Sequence, residues 1–309
     1  MMKVRIKFLL VLALALLLVI TTASPAFAGR PGAIDYVAMG DSGAAGVRAV
    51  FGMQPGFEEG SDYGYTDNIA RWLAMRGSLG SFNEDYAISG NTAAELAIMT
   101  DTKKAQRILK KAELVTITIG ANDVLGPLYA YYYACVEGGV EMTVEGAMAA
   151  VNEILTNMPT QYPVILADLM KVLSNTLDAT PNAKIYIMGY YNPLPFLSDL
   201  GVELAPAVMA INDLILLAIA NTEYMYGVTI DYVPTFEIIN SYVPGLGYTQ
   251  GSSYAYGPLY NYPFFPVGYK YLYVNLFEPI ADIHLTMRGY LKVSEAFIEE
   301  IKTDFGFAY

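Results

Sequence analysis

Ser42 and His284 are the two residues of this chain whose types best suit covalent catalysis. Ser42 follows Gly40 and Asp41 at the end of an apolar stretch, and His284 is the only histidine in 309 residues. A serine hydroxyl becomes a nucleophile when a neighbouring base, most often an imidazole, takes its proton. Any mechanism of this kind must use His284, so the pair predicts acyl transfer through a serine ester.

Gly90 and Asn122 could serve the intermediate of such a reaction. Acyl transfer passes through a tetrahedral intermediate whose oxyanion needs hydrogen-bond donors. The backbone N–H groups of Ser42 and Gly90 and the side-chain amide of Asn122 could supply three. A glycine at position 90 would let the backbone approach closely. We therefore predict that these three residues form an oxyanion hole.

The sequence predicts no metal and no organic cofactor. One histidine and one cysteine, Cys135, exclude the usual zinc clusters and the HExxH motif. No Walker A sequence or Gly-x-Ser-x-Gly elbow is present, and Gly245-Leu246-Gly247 lacks the preceding strand of a dinucleotide site. We interpret Cys135 as a buried thiol, because its apolar surroundings supply no base. Paired carboxylates for glycoside hydrolysis stay open, because no spacing singles out a pair.

The elements that must position these residues alternate between short β-branched strands and helical stretches, which indicates a parallel sheet. Three strands end in the polar clusters that contain Ser42, Gly90 and Asn122. Ligands bind outside the carboxyl ends of such strands, so the clusters could line one crevice. We predict strands over 33–39, 85–88, 114–119, 183–188 and 228–232, and helices over 92–99, 101–111, 144–156 with 163–177, 205–222 and 286–302.

Two stretches rich in tyrosine and glycine, 124–143 and 240–275, interrupt this alternation. Long non-repetitive segments in a compact domain are often functional, and aromatic side chains offer flat surfaces to sugars or acyl chains. We interpret both as ordered insertions, either substrate-binding or simply aromatic surface loops.

The first 28 residues have the layout of a signal peptide. Three basic residues precede an apolar run at 8–20, and an Ala-Phe-Ala cleavage site ends at Ala28. The run of thirteen apolar residues is shorter than the roughly 20 that span a bilayer. We therefore expect a secreted, extracellular protein with one catalytic domain over 29–309 and no stable membrane span.

The net charge excludes polyanions as partners. It is −12 for the whole chain, and cleavage would remove three positive charges and no acidic residue, leaving −15. Such acidity argues against nucleic acid and anionic membrane surfaces, while neutral lipid or glycan esters stay possible. We expect a monomer, and the lack of disulfides together with the signal peptide favours a bacterial source.

The four blocks resemble those of the SGNH or GDSL hydrolases. Ser42 stands in the Gly-Asp-Ser block, Gly90 in the second, Asn122 in a Gly-x-Asn-Asp block and His284 in the last. The resemblance implies a flavodoxin-like three-layer α/β/α fold with a central parallel sheet of about five strands. It also implies hydrolysis of esters or related acyl bonds, with Ser42, Gly90 and Asn122 as the oxyanion hole.

The third member of the triad departs from the pattern of that family. The family places an aspartate three residues before the histidine, where this chain has Ala281, and the nearest acid is Asp282. We assign the role to Asp282, although a backbone carbonyl could also orient the ring, because the tautomer needs only an acceptor. Leu285 replaces a frequent proline and removes no catalytic group.

These observations support one function and leave two alternatives. The first is a secreted serine hydrolase of the lipase or esterase type that cleaves carboxylic esters through an acyl-enzyme. The second is a carbohydrate acetyl esterase with the same fold. The third is a non-catalytic, glycan-binding protein of the cell surface. The fold and the triad do not determine the acyl chain or the alcohol of the substrate.

Overall fold

A parallel sheet forms the centre of the computed structural model, which describes residues 32–47, 63–138, 143–193, 201–240, 242–243, 247–248, 284–285 and 287–307. Within these residues the strand order is β2-β1-β3-β4-β5, and every neighbouring pair is parallel. This order is the flavodoxin-like one, in which ligands bind where the chain changes direction between β1 and β3. The strands are β1 Ile34–Gly40, β2 Leu79–Ala87, β3 Leu114–Thr118, β4 Lys184–Met188 and β5 Asp231–Val233.

Strand burial explains which strands the sequence predicted well. Every residue of β3 is buried, and β1 is buried apart from Asp35, because helices cover both faces of the sheet. Such strands are continuous apolar runs. Strand β2 lies at the edge of the sheet and is mostly half-buried. Its sequence therefore contains polar residues and lacks the continuous apolar run of the central strands. The strand begins at Leu79, six residues before the predicted start at 85.

Helices pack around this sheet in two groups and complete the three-layer α/β/α fold. Helix α1 packs against α9, and α6 packs against α2 and α7. The fully buried core includes Tyr36, Tyr186 and Phe297. The helices are α1 Tyr65–Met75, α2 Ala93–Thr100, α3 Lys103–Leu109, α4 Ala121–Val124, α5 Gly126–Gly138, α6 Val144–Ala179, α7 Ala205–Tyr226, α8 Phe236–Ile239 and α9 Met287–Asp304.

Helix α6 corrects the prediction of two helices separated at the prolines. It is continuous over 36 residues with Pro159 and Pro163 inside it. A proline removes one backbone hydrogen bond and usually breaks or kinks a helix. Both prolines are exposed, whereas Met158 and Ile165 keep the buried face in phase on either side. Packing of that face maintains the helix, since water can satisfy the carbonyls at the exposed prolines.

The first tyrosine-rich insertion is largely helical. Helix α5 covers most of 124–143, and the Tyr131 hydroxyl accepts a hydrogen bond from the Thr143 N–H at 2.8 Å, at the start of α6. In the second insertion the structure describes a short antiparallel pair, β6 Tyr242–Val243 and β7 Gly247–Tyr248. Apart from Asn240, the rest of 240–275 lies outside the described residues, as does the predicted leader over 1–28.

Helix α7 is, among the described residues, the one helix long and apolar enough to cross a membrane. Half of its most apolar window is buried inside the protein, and α7 packs against α6. A core helix passes the same test of length and composition. The absence of a membrane span stays a prediction.

Candidate active site

Ser42 lies in a turn directly after β1, at the carboxyl edge of the sheet. The Ala45 N–H donates to the Asp41 carbonyl at 3.0 Å, and the Val47 N–H donates to the Ser42 carbonyl at 3.1 Å. The Asp41 carboxylate accepts a further hydrogen bond from the Gly43 N–H at 2.9 Å. A side chain that satisfies a backbone donor two residues later stabilises such a turn. The backbone around Ser42 is therefore held in one conformation.

Gly40, just before this turn, packs closely against the backbone of the neighbouring strand β3. Its φ is +137°, a conformation that residues with a Cβ rarely adopt. A Cβ at this position would lie 1.9 Å from the Thr118 carbonyl oxygen. That same oxygen accepts the Asp41 N–H at 2.8 Å. The close approach of the two strand ends therefore requires glycine at position 40.

Gly90 lies in the turn after β2, next to the end of β1. The Gly40 carbonyl accepts the Ile88 N–H at 3.0 Å and the Asn91 amide at 3.1 Å, so this turn is tied to the Ser42 strand. Gly90 is exposed and has a φ of +84°. Among the described residues, no atom lies within 4 Å of the position that a Cβ would take. In the part of the chain that the structure describes, the backbone conformation is therefore what favours glycine here.

Asn122 lies in α4, the short helix that follows β3, and contacts the turn that contains Gly90. Its side-chain amide donates to the Asn91 carbonyl at 2.8 Å. The next residue, Asp123, accepts the Ala93 N–H with both carboxylate oxygens, at 3.1 and 2.9 Å, at the start of α2. Burial raises the pKa of Asp123 to about 6, although the hydrogen bond from Ala93 lowers it. The blocks of Gly90 and Asn122 are thus joined directly.

His284 is brought to the Ser42 turn from the far end of the sequence. It is buried, with 7% of its surface exposed, and it precedes helix α9. The Tyr290 hydroxyl in that helix donates to the Val47 carbonyl at 2.9 Å. His284 also lies close enough to Asp41 to lower the pKa of that carboxyl. The fold therefore unites the first and last blocks, while Asp282 lies outside the described residues.

Asp41 is a buried carboxyl with a raised pKa in this site. Burial raises its pKa to about 6, and hydrogen bonds from the Tyr190 hydroxyl and the Gly43 N–H, together with His284, act in the opposite direction. The negative charge of Asp123 raises it further. Sequence reasoning gave no role to Asp41 or Tyr190. The available signal was the position of Tyr190, which follows the end of the fourth strand at the same edge of the sheet.

This edge of the sheet brings together several of the residues that the sequence predicts for acyl transfer. Ser42, Gly90 and Asn122 follow three adjacent strands, and buried His284 is close to Asp41, the neighbour of the serine. Within the described residues, no group of three or more histidine, cysteine or acidic side chains could hold a metal ion.

Comparison with known families gives this arrangement its context. A sequence model described as the GDSL-like Lipase/Acylhydrolase family matches residues 38–231, more than half of the chain. The chain belongs to this family. The resemblance drawn from the four blocks and the predicted fold are therefore confirmed, and ester hydrolysis is supported for this GDSL hydrolase. A search of the curated proteins finds no match.

Several solved structures share the fold of this GDSL hydrolase. Phospholipase A1 from Streptomyces albidoflavus NA297 is 18% identical, with a TM-score of 0.54, and the match covers 86% of this chain and 99% of that one. An extracellular lipase from Streptomyces rimosus is 20% identical, with a TM-score of 0.55 and the same coverage. A family two carbohydrate esterase from Clostridium thermocellum is 13% identical, with a TM-score of 0.51, and the match covers 91% of this chain and 67% of that one.

Proposed function

We propose that this GDSL hydrolase is a secreted serine esterase in which Ser42 is the nucleophile and His284 is the general base. The observation that carries the proposal is the meeting of the first and last blocks: Tyr290, six residues after His284, bonds to Val47 in the Ser42 turn. The burial of His284 and its electrostatic contact with Asp41 support the same assignment.

The reaction follows from the roles of these groups. The Ser42 Oγ attacks the ester carbonyl carbon while its proton passes to the His284 imidazole. The oxyanion accepts hydrogen bonds from the N–H groups of Ser42 and Gly90 and from the Asn122 amide. The C–O bond then breaks, and the alcohol leaves with the proton from His284. Water, deprotonated by His284, attacks the acyl-serine; the bond between the acyl carbon and the Ser42 Oγ breaks, the proton on His284 returns to that oxygen, and the acid is released. Asp282 or a backbone carbonyl orients the imidazole.

Ser42→Ala and His284→Ala, alone and combined, test this proposal. Each single variant should lose at least about a thousand-fold in kcat on p-nitrophenyl esters, and the double variant should lose little more, because members of one catalytic unit act together. Ser81→Ala is the matched control, since Ser81 is an exposed serine on β2 that bonds to Asp35. Wild-type rates in Ser42→Ala, or additive losses, would overturn the assignment.

A fluorophosphonate probe separates the enzyme from a non-catalytic glycan-binding protein. Such probes form a covalent bond with an activated serine, so a hydrolase should be labelled at Ser42 and a binding protein should not. The expected result is labelling that disappears in both Ser42→Ala and His284→Ala. Labelling that persists in Ser42→Ala, or none in the wild type at any pH, contradicts the proposal.

For the substrate we propose a carboxylic ester of the lipase or esterase type. The match covers nearly the whole of the two Streptomyces chains, titled a phospholipase and a lipase, against two thirds of the carbohydrate esterase. The second candidate, acetyl removal from a polysaccharide, is supported by that esterase, titled as a complex with cellohexaose. A panel of esters of increasing acyl length, with lysophospholipid and acetylated xylan, should favour the lipid esters. Preference for acetylated xylan would select the second candidate.

Export is also part of the proposal, with cleavage after Ala28 and a catalytic domain over 29–309. The basic residues, the apolar run and the cleavage site support it. Expression of the full chain in a bacterial host with a Sec pathway should release a protein that begins at Gly29. An intact N-terminus in the membrane fraction would contradict this part.

A further inference from the structure

Tyr190 lies two residues beyond β4, at the edge of the sheet that carries Ser42 and Asn122. Its backbone N–H donates to Oδ1 of Asn212 in α7 at 2.6 Å, and its carbonyl accepts from Nδ2 of the same side chain at 3.0 Å. The preceding residue, Gly189, donates to the Val233 carbonyl at 2.9 Å. The main chain of Tyr190 is therefore held by two neighbouring elements, and its side chain is buried.

The Tyr190 hydroxyl connects the block of Ser42 with the block of Asn122. It donates a hydrogen bond to Oδ2 of Asp41, whose other oxygen accepts the Gly43 N–H at 2.9 Å. The backbone N–H of Ala121, the residue before Asn122, lies close enough to the same hydroxyl to lower its pKa. One buried hydroxyl thus contacts the residue before Ser42 and the residue before Asn122.

We propose that Tyr190 is a positioning residue of this hydrolase, whose hydroxyl keeps the Asp41 carboxylate ionised beside His284 and joins the Ser42 turn to the Asn122 segment. The inference rests on the proposed Ser42–His284 mechanism. Tyr190 acts through Asp41 and Ala121, and neither it nor Asp41 exchanges a proton with the ester.

Burial makes the Tyr190 hydroxyl necessary for the charge on Asp41. A carboxylate removed from water is stable only when donors replace the lost hydration. Asp41 is 2% exposed, and its pKa has been raised by burial to about 6 against the lowering effect of Tyr190. Burial raises the pKa of Tyr190 well above its ordinary value, so the hydroxyl retains its proton and donates. Loss of this donor would let Asp41 protonate at higher pH.

Four titratable side chains from four parts of the fold face Asp41. They are His284 before α9, Asp123 in α4, Tyr65 in α1 and Tyr190 after β4. A negative Asp41 favours the imidazolium that forms when His284 takes the serine proton, whereas a neutral Asp41 does not. The form that reacts with ester therefore has Asp41 ionised, and the acid limb of activity includes the protonation of Asp41.

The test is the pH dependence of kcat/KM for the full chain with Tyr190→Phe, measured on a soluble short-chain p-nitrophenyl ester. The acid limb should move to higher pH by about one unit, because a hydrogen bond to a charged group shifts its protonation equilibrium roughly ten-fold. At pH 6 the variant should lose about five-fold in kcat/KM, and near pH 8 less than about three-fold.

Tyr36→Phe is the matched control. It also removes one buried tyrosine hydroxyl, which bonds to the Thr116 hydroxyl at 2.8 Å inside the sheet. Its profile should coincide with that of the wild type, although both variants lose some stability. A merely structural role of Tyr190 would give the same result as this control.

Asp41→Asn completes a double-mutant cycle. In the Asp41→Asn background, Tyr190→Phe should change kcat/KM by less than about two-fold at every pH, because the carboxylate it serves is absent. The rate of fluorophosphonate labelling at Ser42 gives the same comparison in variants that hydrolyse esters too slowly. Should Tyr190→Phe not fold, Asp41→Asn decides alone: a kcat within about two-fold of the wild type across the pH range overturns the inference.

The failure of this inference differs from the failure of the proposed function. An unshifted acid limb in Tyr190→Phe, with a wild type that depends on Ser42, overturns only the role of Tyr190. Hydrolysis that survives Ser42→Ala overturns the serine mechanism itself. Full additivity of Asp41→Asn and Tyr190→Phe also overturns the inference, since the two residues would then act independently.

Discussion

At the scale of single residues, two glycines in this site are required for different reasons. Gly40 has a left-handed φ of +137°. A Cβ at this position would also clash with strand β3, because it would lie 1.9 Å from the Thr118 carbonyl oxygen. Gly90 has a φ of +84° and, within the described residues, open space around the position of a Cβ. Backbone conformation alone costs roughly 1–2 kcal/mol for a residue with a side chain. A clash with backbone adds to this.

We therefore predict that Gly40→Ala destabilises the protein far more than Gly90→Ala. Gly90→Ala should lower the free energy of unfolding by about 1–2 kcal/mol, and Gly40→Ala by more than about 4 kcal/mol or to the point where no folded protein is recovered. Thermal unfolding followed by circular dichroism measures both. Gly32→Ala is the control for conformation alone, because Gly32 has a φ of +88° and, among the described residues, no atom lies within 4 Å of the position of its Cβ. Equal losses at 40 and 90 would contradict this account.

At the scale of elements, helix α6 shows how packing overrides a local break. Its buried side chains recur along one face on both sides of the prolines, including Ile154, Met158, Ile165 and Leu169. A proline in a helix interior costs about 3 kcal/mol relative to alanine. The helix forms because its packing against α2 and α7 outweighs this cost. The proline penalty is therefore still present in the folded protein.

Pro163→Ala should stabilise the protein by about 2 kcal/mol. The gain is the restored hydrogen bond and helix propensity, reduced by about 1 kcal/mol because an unfolded chain with alanine has more freedom. The melting temperature should rise by roughly 4–8 °C. Val164→Ala is the control, since Val164 is the next residue and its side chain is 62% exposed. An unchanged or lower melting temperature in Pro163→Ala would show that the proline does not destabilise the helix at this position.

At the scale of the whole molecule, three carboxyl groups among the described residues have pKa values raised to about 6. Burial raises the pKa values of Asp41, Asp123 and Asp231 to about 6 in each case. Asp231 begins β5 and shares a proton with Asp304 at the end of α9. Burial would raise the pKa of Asp304 as well, but the Tyr186 hydroxyl, at 2.6 Å, and Lys184 hold it below its usual value. Asp231 therefore carries the shared proton.

The sign of the pH dependence follows from these shifts. A carboxyl with a raised pKa binds its proton more tightly in the folded state than in the unfolded chain. Its contribution to stability is fully present below the unfolded pKa of about 4 and is lost as the pH rises through about 6. Stability should therefore decrease between pH 4 and pH 6.5.

Asp231→Asn should flatten this decrease. Asparagine can still donate to Asp304 but has no proton to lose. About 1 kcal/mol of the decrease in the free energy of unfolding between pH 4 and pH 6.5 should therefore disappear. This value is reduced because Asp231 is partly exposed to solvent. Melting temperatures of both proteins from pH 4 to pH 6.5 measure the effect. Asp213→Asn, at an exposed aspartate of α7, is the control and should follow the wild type. A steeper fall in Asp231→Asn would reverse the assigned sign.

Much of the site could be predicted because its residues follow buried strands. The strands before Ser42 and Asn122 are nearly continuous apolar runs, so their ends were visible as sudden polar clusters. Parallel strands place such ends at one edge of a sheet, which brings Gly90 to the same edge as Ser42 and Asn122. His284 could be chosen as the candidate base without any structural information, because it is the only histidine. The family followed from the order of these four residues.

Only the tertiary structure decided the features that depend on contacts between distant segments. Tyr190 is one tyrosine among 26 in the sequence, and its bond to Asp41 joins residues 149 positions apart. The start of the edge strand β2 and the continuity of α6 were also decided by packing, because an edge strand can carry polar residues and a buried helix face can outweigh proline. Local sequence determines where a strand or a polar cluster ends, whereas burial and long-range contacts determine which side chains meet and how they titrate.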